Sequence, residues 1–281
     1  MFIGVGYRHQ LARWIESHPP ELNFLELTAE HFFDTGEERL RRLAARYPLS
    51  VHGLGLSLGT PGPLDAETLK QFARVVEIAQ PKWISEHVAF TRTQEVDLGH
   101  LTPVQPNRST LNRLVEHARQ LADHCERPLL LENITSYLRL PGEMDEPEFL
   151  NELCEAAGCG LLLDVTNLFV NSRNHRYDPV QWLRQIVPAN IVQLHIVGYS
   201  FLDGYWQDHH DAPIQDDLWQ LLERVLAYAP VQSIIIERDV GFPCENELRR
   251  DLRRLKEAMQ HHGNDDGNLS RPRESRDQGG A

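Results

Sequence analysis

The sequence has few lysines and no long apolar run, and each shortage argues against a class of protein. Only Lys70, Lys82 and Lys256 are lysines, and the net charge is -13 at pH 7. Proteins that bind nucleic acid neutralise phosphates with lysine and arginine, so this acidic balance argues against a nucleic-acid partner. No apolar stretch approaches the ~20 residues of a membrane-spanning helix. We therefore expect no membrane partner either.

Cysteine is also scarce, and its placement argues against a thiolate metal site. The four cysteines are Cys125, Cys154, Cys159 and Cys244, and they lack the paired spacing of zinc-binding motifs. Residues 1–7 lack the basic region and apolar core of a secretory signal. We therefore expect reduced thiols and a cytoplasmic protein.

Eight apolar segments of strand length recur along the chain, and helical periodicity fills the intervals. They cover residues 2–7, 23–28, 49–54, 83–88, 128–134, 160–167, 190–198 and 233–238. Continuously apolar strands that alternate with helices indicate an α/β fold with a parallel sheet. A doubly wound sheet is the main alternative, but no Gly-x-Gly-x-x-Gly turn follows the first strand. The size matches a single (β/α)8 TIM barrel of roughly 250 residues, and that is the predicted fold.

The connections between these segments differ in length. Residues 55–64, 90–106 and 199–213 form long predicted loops after strands, whereas the connections from helix to strand are short. In a TIM barrel the loops after the strands build the catalytic face. We expect one metal-binding catalytic domain over residues 1–261. Residues 262–281 are polar and lack periodicity, which predicts a disordered tail.

Six consecutive predicted strands, the third to the eighth, end near a histidine, an aspartate or a glutamate. These residues are His52, Glu86 with His87, Glu132, Asp164, His195 and Glu237. Each alone has an ordinary explanation, such as a hydrogen-bonded core histidine, a helix-capping aspartate or an ion-paired glutamate. Together, carboxylates that converge on one barrel mouth repel one another and lose hydration unless metal ions neutralise them. The pattern therefore predicts a metal site.

The candidate ligands also indicate the kind of site. Imidazole and carboxylate ligands without cysteine suit zinc, manganese or iron. The loop after the seventh strand adds Asp208, His209 and His210, so the candidates exceed the three or four ligands of one ion. We expect two or three ions, with Glu132 as the bridge between them. The histidines on presumed helices or in the tail are expected on solvated surfaces: His9, His18, His117, His124, His261 and His262.

Five segments resemble the multinuclear non-heme iron-dependent oxidases, relatives of the iron enzyme of methanobactin biosynthesis. They are residues 4–8 (Gly-Val-Gly-Tyr-Arg), 51–59 (Val-His-Gly-Leu-Gly-Leu-Ser-Leu-Gly), 85–87 (Ser-Glu-His), 131–138 (Leu-Glu-Asn-Ile-Thr-Ser-Tyr-Leu) and 163–167 (Leu-Asp-Val-Thr-Asn). The resemblance covers roughly residues 2–245 in family order. It implies a xylose-isomerase-like TIM barrel with two or three iron ions in mixed Fe(II) and Fe(III) states, and O2 as co-substrate. By position it implies iron ligation by His52, His87, Glu132, Asp164, Asn167, His195, Asp208, His210 and Glu237.

The resemblance also implies a function. Similar proteins modify cysteine residues of ribosomally synthesised precursor peptides during natural-product maturation, so the chain is expected to be an iron-dependent oxidoreductase. No catalytic side chains are expected beyond the metal ligands. Asn133, Tyr137, His175 and Asp239 are the expected substrate-side residues. Since the residues after the barrel are too few to recognise a leader peptide, a separate partner protein is expected for that task.

The chain departs from the usual pattern of the family at four positions. Thr166 replaces an asparagine in the sixth-strand motif, and Tyr199, His209 and Asp211 differ near the loop after the seventh strand. None of the four is an implied ligand. The last three differences therefore concern the loop that faces the substrate rather than the metal site.

Three other functions fit parts of the pattern. A divalent-metal-dependent sugar isomerase shares this barrel but places a lysine beside the substrate carbonyl, and the three lysines lie away from the predicted mouth. An endonuclease-like TIM barrel with zinc conflicts with the acidic balance. A non-catalytic metal- or peptide-binding protein would not need an open mouth with more ligands than a closed structural site uses.

Overall fold

Twelve strands form one barrel and two hairpins. The computed structural model describes residues 1–93, 96–242 and 244–263. In this part of the chain the strands are β1 (Phe2–Gly6), β2 (Phe24–Thr28), β3 (Leu49–His52), β4 (Ile84–His87), β5 (Ala89–Arg92), β6 (Asp97–Pro103), β7 (Leu129–Glu132), β8 (Gly160–Asp164), β9 (Ile191–Ile196), β10 (Gly198–Leu202), β11 (Tyr205–Ala212) and β12 (Ser233–Ile236).

The described residues also form nine α-helices. The helices are α1 (Ala12–Glu16), α2 (Glu37–Ala44), α3 (Ala66–Ala79), α4 (Arg108–Cys125), α5 (Glu146–Ala157), α6 (Val165–His175), α7 (Pro179–Leu183), α8 (Asp216–Tyr228) and α9 (Glu245–Gly263). Short 3-10 helices lie at His9–Leu11, Ala29–Phe32 and Pro188–Asn190. No helix of the described residues is long and apolar enough to cross a membrane.

The barrel closes in the order β1-β12-β9-β8-β7-β4-β3-β2, and every neighbouring pair is parallel. One barrel strand lies in each of the eight predicted segments. Nearly all of their residues are buried, because one face of the sheet points into the barrel and the other packs under helices. This explains why the strands are continuously apolar, and it confirms the predicted TIM barrel.

For two of the three predicted long loops the prediction is wrong, because these segments contain β-hairpins. Residues 90–106 contain most of an antiparallel hairpin of β5 and β6, and residues 199–213 contain most of a second hairpin of β10 and β11. The strands of these hairpins are half-buried or exposed along much of their length. They therefore lack the apolar runs that identify the barrel strands. Residues 55–64 contain no helix or strand, as predicted.

The predicted tail lies almost entirely outside the described residues. Helix α9 continues through Gly263, two residues beyond the predicted end of the domain at residue 261. Residues 264–281 are not among those described, so the division into a barrel domain and a disordered tail stays a prediction.

One surface prediction for the histidines is wrong. His117 is only 4% exposed, and its two ring nitrogens lie 2.7 Å from the carbonyl oxygen of Leu58 and 2.9 Å from that of Gly62. The ring therefore connects α4 to the loop after β3. His9, His18, His124 and His261 are exposed as predicted, and His262 is half-buried.

Candidate metal centre

The alternation of side chains along the strands places the acidic residues inside the barrel. A small apolar cluster is formed by Phe24, Trp83, Leu130, Leu162 and Ile235. Residues two apart on a strand point to the same face, so Glu132, Asp164 and Glu237 follow Leu130, Leu162 and Ile235 on one face. The apolar side chains form one layer, and the carboxylates form the next layer towards the C-terminal ends of the strands.

These side chains come together in four overlapping groups that could each hold a metal ion. Within each group, the potential ligand atoms lie within 4.8 Å of one another. The groups are His52 with His87 and Glu132; Glu132 with Asp164, His195 and Glu237; Asp164 with Asp208 and His210; and His210 with Glu237 and Asp239. Glu132 joins the first two groups, and Asp164 joins the second and third. The arrangement therefore offers adjacent ion positions linked by shared carboxylates.

The first group is formed by neighbouring strands. Hydrogen-bonding register places His87 of β4 beside Glu132 of β7. Nε2 of His52 lies 3.4 Å from Oε2 of Glu132, and Nε2 of His87 lies 3.5 Å from the same oxygen. Nδ1 of His52 lies 2.8 Å from Oγ of Ser85. With Nδ1 donating to that oxygen, the Nε2 lone pair of His52 faces the carboxylate and is available to a metal ion.

The second group is centred on His195, which is fully buried on β9. Its Nδ1 lies 2.9 Å from Oε2 of Glu237 and 3.3 Å from Oε1 of Glu132. Its Nε2 lies 2.6 Å from Oε1 of Glu26. Glu26 was not among the predicted site residues. It also accepts hydrogen bonds from the side chains of Ser50 and Gln193.

Asp164 serves two purposes at the start of α6. Its Oδ1 accepts a hydrogen bond of 2.7 Å from the backbone nitrogen of Asn167, which caps the helix. Its Oδ2 has no hydrogen-bond partner. The side chain of Asn167 is already engaged, because its amide donates to the carbonyl oxygen of Asn133 at 3.0 Å and its oxygen accepts from Oγ1 of Thr135. The ligand role of Asn167 stays a prediction.

The loop residues reach the centre from the β10–β11 hairpin. Nε2 of His210 lies 3.2 Å from Oδ2 of Asp208, and Nδ1 lies 3.0 Å from Oδ2 of Asp239. His210 adopts a left-handed backbone conformation with φ of 53°, which is uncommon for a residue other than glycine. His209 between them is exposed. The backbone therefore turns the two predicted ligands inward and His209 outward.

Arg8, which follows β1, was not among the predicted site residues. Its Nη2 lies 3.3 Å from Oε1 of Glu237, and its Nε donates to Oδ1 of Asp239 at 2.6 Å. Among the described residues that line the mouth cavity, Arg8 and Arg39 are the two arginines and no lysine is present. Arg8 therefore fixes two of the carboxylates on the side of the barrel where β1 meets β12.

Five potential ligand atoms in these groups are buried and form no well-aligned hydrogen bond, although all but the aspartate oxygen of Asp164 lie 2.9–3.4 Å from an ion-pair partner within the cluster. They are Nε2 of His52, Oε2 of Glu132, Oδ2 of Asp164, Nδ1 of His195 and Oδ2 of Asp208. A buried polar atom left unsatisfied costs about 1–3 kcal/mol. Such atoms are rarely concentrated in one place unless something binds them. The donor set and its unsatisfied atoms therefore fit metal ions.

The pKa values in the cluster reflect an excess of carboxylates. Burial raises the pKa of Asp164 well above its usual range, and the nearby charges of Asp208 and Glu132 raise it further. Burial opposes the charged form of His87, but Glu132 and Glu86 outweigh it and raise the pKa to about 9. Without metal, the site therefore holds protons that a metal ion would have to displace.

The predicted substrate-side residues lie in different places. Asn133 is buried and exchanges hydrogen bonds with the backbone of Asp164. Asp239 belongs to the network around Arg8 and His210. Tyr137 is 50% exposed and its ring contacts Tyr205. His175 lies beside a separate cavity and contacts the carbonyl oxygen of Ser136. Their substrate roles stay predictions.

Comparison with known proteins identifies the family. The family model described as "RiPP precursor modification enzyme MbnB/TglH/ChrH" matches residues 2–260. The chain belongs to this family. A UPF0276 protein of Chromobacterium violaceum is 36% identical over 243 residues, which are 85% of this chain and 88% of that protein. The family resemblance expected from the sequence is confirmed, and members of the family modify ribosomally synthesised precursor peptides, abbreviated RiPP precursors.

Solved structures share the fold at low identity. D-Psicose 3-epimerase of Clostridium cellulolyticum matches with a TM-score of 0.63 and 13% identity, over 93% of this chain and 99% of that one. The TTHB071 protein of Thermus thermophilus, soaked with ZnCl2, matches with a TM-score of 0.56 and 21% identity, over 90% of this chain and 98% of that one. This member of the MbnB/TglH/ChrH family therefore has the expected xylose-isomerase-like TIM barrel.

Proposed function

We propose that this chain is an O2-dependent multinuclear non-heme iron oxidase that modifies cysteine residues of a ribosomally synthesised precursor peptide. The observation that carries the proposal is the buried set of imidazole and carboxylate groups at the barrel mouth, in which five potential ligand atoms form no well-aligned hydrogen bond. The family supplies the precursor peptide as the substrate class. The likeness in fold to a protein soaked with ZnCl2 supports a metal in a barrel of this kind.

The ligand groups indicate which residues would hold two or three iron ions. His52 and His87 would hold one ion with Glu132, and His195 and Glu237 would hold a second with Glu132 and Asp164. The third group, Asp164, Asp208 and His210, would hold a third ion, with Asn167 beside it. The fourth group uses His210 and Glu237 again, together with Asp239, and adds no further ion to the proposal. Bound iron, cycling between Fe(II) and Fe(III), would supply the electron transfer between the substrate cysteine and O2.

The side chains of the chain itself would position the ions and admit the peptide. A cavity of about 660 Å³ opens onto His87, Glu132, Asp208, His210 and Glu237. Glu26 orients His195, and Arg8 orients Glu237 and Asp239. These contacts would hold the ligands in place during turnover. Recognition of the leader peptide by a separate partner protein forms part of the proposal.

A divalent-metal-dependent sugar isomerase or epimerase is the second candidate, because the fold is shared with a sugar epimerase. Lys70 lies on α3, Lys256 lies on α9, and Lys82 lies before β4 at the opposite end of the barrel strand from His87. No lysine lines the mouth cavity formed by the described residues. The site therefore lacks the lysine that a sugar isomerase places beside the substrate carbonyl, which favours the oxidase over that isomerase.

Oxygen consumption tests the proposal. The iron-loaded protein is mixed with a cysteine-containing precursor peptide, and oxygen uptake and the mass of the peptide are followed together. We expect uptake and a mass change that both disappear when serine replaces the cysteine. His52→Ala should abolish both, whereas His100→Ala should not, since His100 is exposed on β6. Equal oxygen uptake with the serine peptide would contradict the proposal, as would an unmodified cysteine peptide.

A further inference from the structure

A second cavity of about 590 Å³ lies beside the metal centre and is not part of it. Val88 and Asn133 line it, and they directly follow the predicted ligands His87 and Glu132. The opposite walls are formed by α5 and α7, with Phe149 and Trp182 among the lining residues. The volume falls in the range of ordinary ligand pockets, roughly 300–1,000 Å³. The cavity therefore has room for a side chain and some flanking backbone.

The loop that covers this cavity is held at both ends. Near β7, Asn171 of α6 accepts a hydrogen bond of 2.9 Å from the backbone nitrogen of Ser136 and donates one of 2.8 Å to the carbonyl oxygen of Ile134. Near α5, the backbone nitrogens of Glu143 and Met144 donate to the carbonyl oxygen of Pro106 at 2.9 and 3.2 Å. The cavity is consequently preformed, which reduces the cost of binding.

The carboxylate of Glu146 lines this cavity, and the charge of Arg139 acts on it without forming an ion pair with it. Its Oε2 accepts a hydrogen bond of 3.0 Å from Nε1 of Trp182. Among the ion pairs of the described residues, none within 4.0 Å includes Glu146. Solvent reaches the side chain within the cavity. Although the residue is exposed, surrounding protein atoms desolvate the carboxylate enough to raise its pKa, against the opposing effects of the Trp182 hydrogen bond and the charge of Arg139.

Tyr177 provides a second polar group without a partner. Its hydroxyl is buried and has no hydrogen-bond partner. Burial raises the pKa of Tyr177, and the charge of Glu146 raises it further, so the phenol stays protonated near the carboxylate. The lining therefore includes a carboxylate that forms no ion pair and a residue whose buried hydroxyl has no hydrogen-bond partner, together with the aromatic rings of Trp182 and Phe149.

The charge of the lining favours a cation. Asp145, Glu146 and Asp178 are the acidic lining residues, whereas Arg139 is the single arginine and no lysine is present among the described lining residues. An arginine guanidinium suits this lining better than a lysine ammonium. Its planar fork pairs with a carboxylate, donates to neighbouring oxygens and stacks on aromatic rings.

We propose that this cavity binds an arginine side chain of the precursor peptide while the cysteine of that peptide lies at the metal centre. The inference rests on the proposed function, because it takes the precursor peptide as the substrate. The segment after Glu132 connects the two sites, since Asn133 lines the cavity and also holds the backbone of Asp164. Arginine binding would therefore set the position of the peptide along the mouth.

Fluorine NMR of the full chain labelled with 5-fluorotryptophan tests the inference. The chain has five tryptophans, and Trp182→Phe assigns the resonance of Trp182. The probe is the peptide acetyl-Ala-Arg-Ala-amide, compared with its citrulline counterpart, which is neutral and nearly isosteric. We expect saturable shifts of the Trp182 resonance with about fivefold to tenfold tighter binding of the arginine peptide. Equal affinities for the two peptides would overturn the inference.

Variants of cavity residues test whether Glu146 and Tyr177 cause the preference for arginine. Glu146→Gln keeps an oxygen that accepts the Trp182 hydrogen bond, so the fold is retained while the charge is removed. Glu146→Gln should abolish the preference for the arginine peptide over the citrulline peptide, and Tyr177→Phe should weaken that preference. Glu148→Gln is the matched control, because Glu148 is exposed on the same turn of α5 and does not line the cavity. A preference for arginine that survives in Glu146→Gln would refute the inference.

The same samples separate this inference from the proposed function. Iron content and oxygen uptake are measured on the unmodified chain, without the arginine probe. Failure of the iron-oxidase proposal would appear there as missing iron or missing uptake. Failure of the arginine site would appear as an active iron protein that binds the two probe peptides equally.

Discussion

The carboxylate of Glu26 lies 2.6 Å from Nε2 of His195 and determines which nitrogen of that ring faces the metal centre. Both side chains are buried. When Nε2 donates its hydrogen to Glu26, the lone pair of Nδ1 faces Glu132 and Glu237. Carboxylates that hold the second nitrogen of a ligand histidine fix its tautomer and raise its basicity. Glu26 is thus a positioning residue for a predicted ligand.

Glu26→Gln should weaken iron binding. The amide replaces the carboxylate that holds His195, and loss of such contacts typically costs about 10–100-fold in metal affinity. Competition with a chelator of known affinity measures the change. Glu38→Gln is the control, since Glu38 is exposed on α2. Unchanged affinity in Glu26→Gln would show that His195 does not depend on this contact.

Glu132 and Asp208 should differ in how much metal their loss removes. Glu132 belongs to two ligand groups, whereas Asp208 belongs to one. We therefore expect Glu132→Gln to lower the metal content by about two ions per chain and Asp208→Asn by about one. Elemental analysis of the purified variants gives the ratio. Equal losses in the two variants would argue against Glu132 as a bridge.

The metal-free protein should lose stability as the pH rises from about 6.5 to about 9. The pKa of His87 is raised from 6.5 to about 9, mainly because Glu132 and Glu86 outweigh burial. Folding therefore favours the protonated ring, and the stabilisation is complete below 6.5 and is lost as the pH passes 9. The carboxylates with lowered pKa values, such as Glu237, change only below this window.

Melting temperatures across this window check the prediction. The chelator-treated protein should melt at a progressively lower temperature, whereas iron-loaded protein should vary less, because the metal has displaced the protons. His195 and His210 act in the same direction, since carboxylates outweigh burial and raise both pKa values. A metal-free protein that becomes more stable towards pH 9 would contradict this account of the site.

His117→Ala should destabilise the fold by about 1–3 kcal/mol. The buried ring contacts the carbonyl oxygens of Leu58 and Gly62, and alanine would leave both oxygens without this partner. His124→Ala is the control on the same helix, and its exposed position predicts a change within about 0.5 kcal/mol. Urea unfolding measures both. Equal free energies of unfolding in the two variants would show that the His117 contacts do not stabilise the loop after β3.

The sequence predicts the barrel and most of the side-chain cluster that forms the candidate metal centre, because the same strands carry both. Apolar runs identify the eight barrel strands, and the predicted ligands His52, His87, Glu132 and Asp164 end four of them. Parallel strands in a closed barrel bring these ends together, so no knowledge of the loops is needed. The two hairpins were not predicted because their half-exposed strands contain no continuous apolar run.

Glu26 and Arg8 show where prediction from the sequence stops. Glu26 lies two residues before the end of β2. A carboxylate within an apolar segment could have marked it as a candidate, but the prediction used only the third to the eighth strands. Its partner His195 lies on β9, which is not adjacent to β2 in the barrel. Such a contact depends on side chains crossing the barrel interior. Arg8 likewise reaches Glu237 and Asp239 across the β1–β12 junction.

Metal content of the anaerobically purified chain tests the central proposal most directly. Iron and zinc are counted per chain by elemental analysis, before any peptide is added. The proposed sharing of Glu132 and Asp164 between ions predicts two or three iron ions per chain. Full occupancy by zinc, or a single ion in protein supplied with excess iron, would contradict a multinuclear iron centre.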